Sequence, residues 1–195
     1  MQEKGFSRSA RNFYYIVGDI AHGVAFDSSG SGLYATAYIL PLYMPWDGIA
    51  YTYGDRLNEL RGLHLPVLTK KEDAEDWCAA FCRGVEKKIL PIFEKINAPE
   101  KLLKQLEKGF TFFHCPPVFL EQIKAYTCFC LGKQEAAAAI QSYEKSLKES
   151  SFLTVRVRQE LLDKAENLAD LLGETEETRR AFLEKTMAQS KNIFS

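Results

Sequence analysis

Near residue 69 the chain changes character, from aromatic stretches of β-forming residues punctuated by glycine to almost uninterrupted helical periodicity. Strands gathered at one end and helices at the other cannot interleave into a parallel sheet. The order therefore specifies an α+β fold, an N-terminal antiparallel β-meander packed on helices and followed by C-terminal antiparallel helical hairpins. Asn12 to Val17 is rich in β-formers, and Gly18-Asp19 offers a two-residue turn into a second strand, Ile20 to Asp27. Ser28 to Gly32 reads as a flexible connection, Leu33 to Leu40 as a third strand, and Pro41 as its end. A second tight turn at Asp47-Gly48 joins Leu42-Tyr43-Met44 to Ile49 through Tyr53, so the sheet covers about 12–53.

Thr69 and Glu72 have the spacing of a capping box, which starts a helix there. Trp77, Phe81 and Val85 recur one helical turn apart, and Pro91 is expected to kink this helix before Asn97-Ala98-Pro99 stops it. A short helix from Pro99 to Lys108 closes at Gly109 as a left-handed cap. Phe110 to Pro117 reads as an irregular, packed connection. Four further helices follow: Val118 to Leu131, Lys133 to Glu149, Phe152 to Leu172 capped by Ser151, and Glu176 to about Gln189. The chain divides into an α+β domain, 1–115, with helices at about 70–108, and a helical-hairpin region, 116–195, packed on it as one globular unit.

The 195 residues suffice for a proper core, with 46% apolar, 26% charged and a net charge of −1. No basic excess or stripe marks a nucleic-acid surface, and Arg8 with Arg11 is the lone early basic cluster. No apolar run approaches the roughly 20 residues that span a bilayer. Met1 to Arg11 lacks an apolar leader. An odd set of five cysteines, scattered along apolar segments, suits small core hydrophobes in a reducing compartment, so the cytoplasm is expected.

His114-Cys115 and Cys128-Phe129-Cys130 lack the paired spacing of a structural zinc site, and Cys78 with Cys82 reads as buried helix face, so no metal is expected. No nucleophile elbow is present, and His22 reads as a structural strand residue beside Gly23. Ser28 to Gly32 leads into a strand and not into a helix N-terminus, which removes the usual phosphate cradle. Asp73, Glu75 and Asp76 read as solvated first-turn acids. No catalytic residue and no cofactor is implied.

The aromatic belt of Tyr43, Met44, Trp46, Tyr51 and Tyr53, followed by Asp55 and Arg56, carries the functional interest. Tyrosine, tryptophan and arginine are favoured anchors of partner surfaces, and strand alternation turns some of these rings away from the core. Tyr43, Trp46, Tyr51, Tyr53 and Arg56 are thus the candidate partner-binding residues of a non-enzymatic module that takes a protein or peptide; the alternative is that these rings pack under the helices as cross-strand pairs. The rival is a small-ligand binder or enzyme with a pocket between sheet and helices, using Arg56, Tyr53 and His64. Homodimerisation through an edge strand or helix is the third reading.

Two resemblances accompany these readings. Lys4-Gly5-Phe6, Phe13-Tyr14-Tyr15, Leu40-Pro41-Leu42-Tyr43 and Tyr53-Gly54-Asp55-Arg56-Leu57 resemble the uncharacterised bacterial domains of the DUF4304 type. That likeness covers the first third of the chain and implies a small sheet backed by helices, with no established activity. Such domains open with a helix before the Gly-Phe pair, whereas here four residues precede Gly5. Tyr126 to Leu147, with Leu131-Gly132, Ala137-Ala138-Ala139-Ile140 and Tyr143, is similar to a tetratricopeptide unit. It departs from that family in a repeat of about 40 residues where the family has 34.

Overall fold

The computed structural model of the chain describes residues 1, 5–30, 32–46, 53–58, 60, 63 and 65–194. Five antiparallel strands form one meander in the order β1 (Ser7–Ser9), β2 (Asn12–Val17), β3 (Ile20–Ser29), β4 (Gly32–Pro41) and β5 (Gly54–Arg56). Gly18 takes φ +56°, a left-handed value that L side chains resist, and so permits the two-residue turn that pairs Val17 with Ile20. β3 and β4 pair along their whole length, from Ile20 opposite Pro41 to Ser29 opposite Gly32. Ser28, Ser29 and Gly32, expected in a flexible connection, therefore belong to the paired strands. Leu42 to Met44 form a turn and not a strand, because Pro41 ends the ladder and Met44 N–H folds back to the Pro41 carbonyl at 3.1 Å. The Asp47-Gly48 turn and Ile49 to Thr52 lie outside the described residues.

The helical half begins with a 3-10 turn, Lys71–Asp73, leading into α1 (Ala74–Gly84). Lys70 takes the cap position with no side-chain hydrogen bond, so the Thr69 capping box does not form. Trp77, Phe81 and Val85 are buried as their spacing predicts, but Cys78 and Cys82 are exposed. One residue along a helix is about 100° around it, which carries both thiols off the buried stripe.

Pro91 leaves its mark one turn upstream. Proline cannot donate to the preceding turn, and its ring crowds the carbonyl there. The helix widens over Val85–Ile89, where Leu90 N–H bonds Val85 O five residues back, and then continues as α2 (Leu90–Lys95). Next come α3 (Pro99–Glu107), ending before the left-handed Gly109, and α4 (Pro117–Cys130), α5 (Ala136–Glu149), α6 (Val155–Leu172) and α7 (Glu176–Lys191). α6 starts three residues later than expected, and Thr154 takes the capping role given to Ser151 by accepting from Val157 N–H at 3.4 Å.

Strand alternation gives the sheet two buried faces. Ile20, Val24, Ala37 and Ile39 face one continuous core that runs through α1, α2, α4, α5 and α6 to Leu168. Ala21, Ala25, Tyr38 and Leu40 face the other way, where the chain's last turn closes over them with Phe194. Thus the C-terminal residues cover the sheet face that the first helices leave open. Among the described residues, no helix is long and apolar enough to cross a membrane.

Candidate functional site

The belt residues are placed mostly inward. Tyr43 and Tyr53 are fully buried, which removes them from any surface a partner could touch in this structure. The Tyr43 hydroxyl pairs with Thr127 Oγ1 at 2.9 Å, and Tyr53 donates to Gln122 Oε1 at 2.9 Å. Burial pushes both phenols well above their ordinary range. These rings thus tie the sheet to α4. Trp46 is half-buried, its Nε1 donates to the Pro41 carbonyl at 2.8 Å, and its ring meets Tyr53 edge-on. Arg56 is exposed, with its guanidinium 4.5 Å from the centroid of the Tyr34 ring. Tyr51 and His64 lie outside the described residues.

A different set of residues makes a groove of about 760 Å³ between β5, the widened turn with α2, and the segment Phe110 to Cys115. Lys88, Pro91, Ile92 and Lys95 line it from one face of the helix, at offsets of three, four and seven residues, and Lys87 joins them where the turn widens. Phe110 and Phe113 are buried beneath it, and half-buried Phe112 meets Phe110 edge-on at 5.8 Å. Asp55 fixes the third wall, since its Oδ2 accepts from the His114 amide at 2.6 Å. Alternation along β5 puts Asp55 on the groove side and Arg56 on the opposite face.

The electrostatics favour an anion. Three exposed lysines, Lys87, Lys88 and Lys95, stand against one aspartate whose carboxylate already holds a backbone amide. Lys95 Nζ lies 5.8 Å from the centroid of the Phe112 ring, a cation over an aromatic face. Cys115 lines the floor, but burial first and the charge of Asp55 second push its thiol up to about 12. It stays protonated and is no nucleophile at neutral pH. The arrangement can bind and orient an acidic group beside an apolar one.

Sequence reasoning missed this groove. A signal was present in Lys88, Pro91, Ile92 and Lys95 at helical spacing, but the phenylalanines and Asp55 come from segments remote in sequence. Among the described residues, no group of His, Cys, Asp and Glu is placed to hold a metal ion. No family model, curated protein or solved structure matches this chain.

Proposed function

We propose that the chain is a non-enzymatic interaction module that binds an acidic peptide segment of a partner protein in the groove lined by Lys87, Lys88 and Lys95. The observation that carries this reading is the pairing of a lysine rim with a phenylalanine floor in a groove of about 760 Å³. Peptides with alternating acidic and apolar side chains satisfy both: carboxylates meet the lysines and the apolar side chains cover Phe112. Placement in the cytoplasm belongs to the same reading and is supported by five unpaired cysteines. So does kinship of the front third to DUF4304-type domains, supported by the sheet backed by helices that the resemblance implies.

Fluorescence anisotropy with a labelled Glu-Leu heptapeptide and its Lys-Leu counterpart tests the proposal. The acidic peptide should bind, weaken as salt rises, and lose roughly tenfold or more in affinity in the Lys87→Glu/Lys95→Glu variant. Equal binding of the basic peptide, or indifference to the charge reversal, would overturn it.

The groove volume also lies in the range of small-molecule sites, which favours a second reading as a binder of small organic anions. Competition separates the two. A small dicarboxylate that displaces the heptapeptide at lower concentration than unlabelled peptide supports the second reading over the first.

A further inference from the structure

A second, smaller concavity of about 340 Å³ adjoins the groove and shares Lys95 with it. Lys101, Lys104 and Lys108 line this second stretch at offsets of three and seven residues, along one face of α3 and its end, together with Gln105 and one acid, Glu94. The buried side of α3 is formed by Leu102 and Leu103, so the lysine row belongs to its solvent side. Lysines in the last turn of a helix are favoured by the helix dipole alone, which accounts for Lys104 and Lys108 without any ligand. Lys101 sits in the first turn, where the dipole disfavours a cation, and is held at the junction with α2 by donating to Asn97 Oδ1 at 2.9 Å and to the Glu94 carbonyl at 3.5 Å.

We propose that the anion-binding groove continues over Lys95 onto α3, and that its occupant is an extended acidic chain and not a compact ligand. This rests on the reading of the first groove as an acidic-peptide site. Lys88 to Lys95 and Lys101 to Lys108 each cover about 10 Å of helix, at 1.5 Å per residue. An extended chain rises about 3.3 Å per residue, so following both rows takes about six residues, whereas the first groove alone takes about three. On its other flank the row borders, at Lys104, a surface of mixed charge. That surface is a third concavity in which Glu100, Glu107 and Glu135 face Lys104, Lys124 and Lys133, three charges of each sign.

The test compares labelled Glu-Leu peptides of three and seven residues on the full chain, with thermal melts confirming that each variant is folded. The longer peptide should bind at least tenfold more tightly. Lys104→Glu/Lys108→Glu should erase that advantage and leave the tripeptide unaffected, while Lys124→Glu/Lys133→Glu, in the charge-balanced concavity, should change neither. A length advantage that survives Lys104→Glu/Lys108→Glu overturns the extended track and leaves the first groove standing. Failure of both peptides to bind overturns the underlying reading as well. A seven-residue oligothymidylate that binds more tightly than the heptapeptide, with the same sensitivity to the variants, replaces the peptide with nucleic acid and overturns the proposal.

Discussion

Tyr15 and His22 stack across neighbouring strands, their ring centroids 5.1 Å apart and their planes 15° from parallel. Phe93 of α2 closes the other approach at 4.9 Å from the imidazole, which leaves His22 fully enclosed. Among the described residues neither ring nitrogen reaches a partner in hydrogen-bond geometry, although the backbone of Ile96 and Ile20 lies close enough to favour the charged form slightly. Burial dominates and lowers the pKa from 6.5 to about 4.

The consequence for acid stability has a definite sign. Between pH 6.5 and about 4 the unfolded chain takes up a proton at His22 that the folded chain refuses, so stability is fully present above pH 6.5 and falls toward pH 4. A shift of this size corresponds to about 3 kcal/mol. His22→Phe keeps the stacking and removes the titration. Its urea midpoint should fall much less than that of the parent between pH 7 and pH 4.5, and an identical fall in both proteins would count against the buried neutral imidazole.

Gly23 neighbours His22 and faces the opposite way, against Tyr38. A Cβ at this position would lie 2.2 Å from Tyr38 Cζ, well inside contact distance, and Tyr38 is fully buried. Gly23→Ala should therefore cost about 3 kcal/mol through overpacking. In a Tyr38→Ala background the same substitution should cost far less, because the obstructing ring is gone. Denaturant melts of the four proteins in this cycle give the coupling directly; additive costs would show that the clash is relieved elsewhere.

The end of α7 and the turn after it are held against the sheet and the segment that follows β4. Phe194 stacks on Tyr14 at 4.4 Å, the Tyr14 hydroxyl donates to the Phe194 carbonyl at 3.0 Å, and Ser190 Oγ donates to Met44 O at 2.9 Å. Phe194→Ala should cost about 3 kcal/mol and expose Ala21, Ala25 and Leu40. Hydrogen exchange should then accelerate in α7 and along β4 while α4 and α5 keep their protection. Uniform acceleration would mean that the C-terminal clamp and the core unfold together.

What the residues disclosed in advance depended on how local the cause was. The Gly18-Asp19 hairpin and the helix ends at Pro99, Gly109, Pro117 and Gly132 follow from backbone preferences of single residues, and the sequence carries these plainly. β1 is three polar residues with no pattern of its own, and its pairing with Asn12 to Tyr14 turns through Ala10, a non-glycine residue at φ +50°. The cap assignments at Thr69 and Ser151 failed because neighbouring residues compete for one position, and tertiary packing decides where the first turn begins. For Tyr43 and Tyr53 the sequence leaves both a partner surface and packing beneath the helices open, since alternation predicts facing only within a strand and Tyr43 sits in a turn. The lysine groove was illegible as a whole: its walls meet only after Asp55 takes the His114 amide, across 59 residues of chain.

The same one-residue phase that misplaced Cys78 and Cys82 gives a direct chemical test. Both thiols are exposed on α1, whereas Cys115 and Cys128 are buried and Cys130 is half-buried. Burial is the leading cause that raises the pKa of Cys115, Cys128 and Cys130, to about 12 for the first and last, so these three lack both access and thiolate. An aromatic disulfide reagent at pH 8 should therefore titrate two thiols rapidly in the native protein and the remaining three on unfolding. Cys78→Ser/Cys82→Ser should abolish the fast phase with little change in stability, because neither side chain is part of the core. A fast phase that persists in this variant would mean that the helices over Cys115 or Cys130 open readily. That opening would loosen the floor of the lysine groove if Cys115 reacts, and the packing of α4 against its neighbours if Cys130 does.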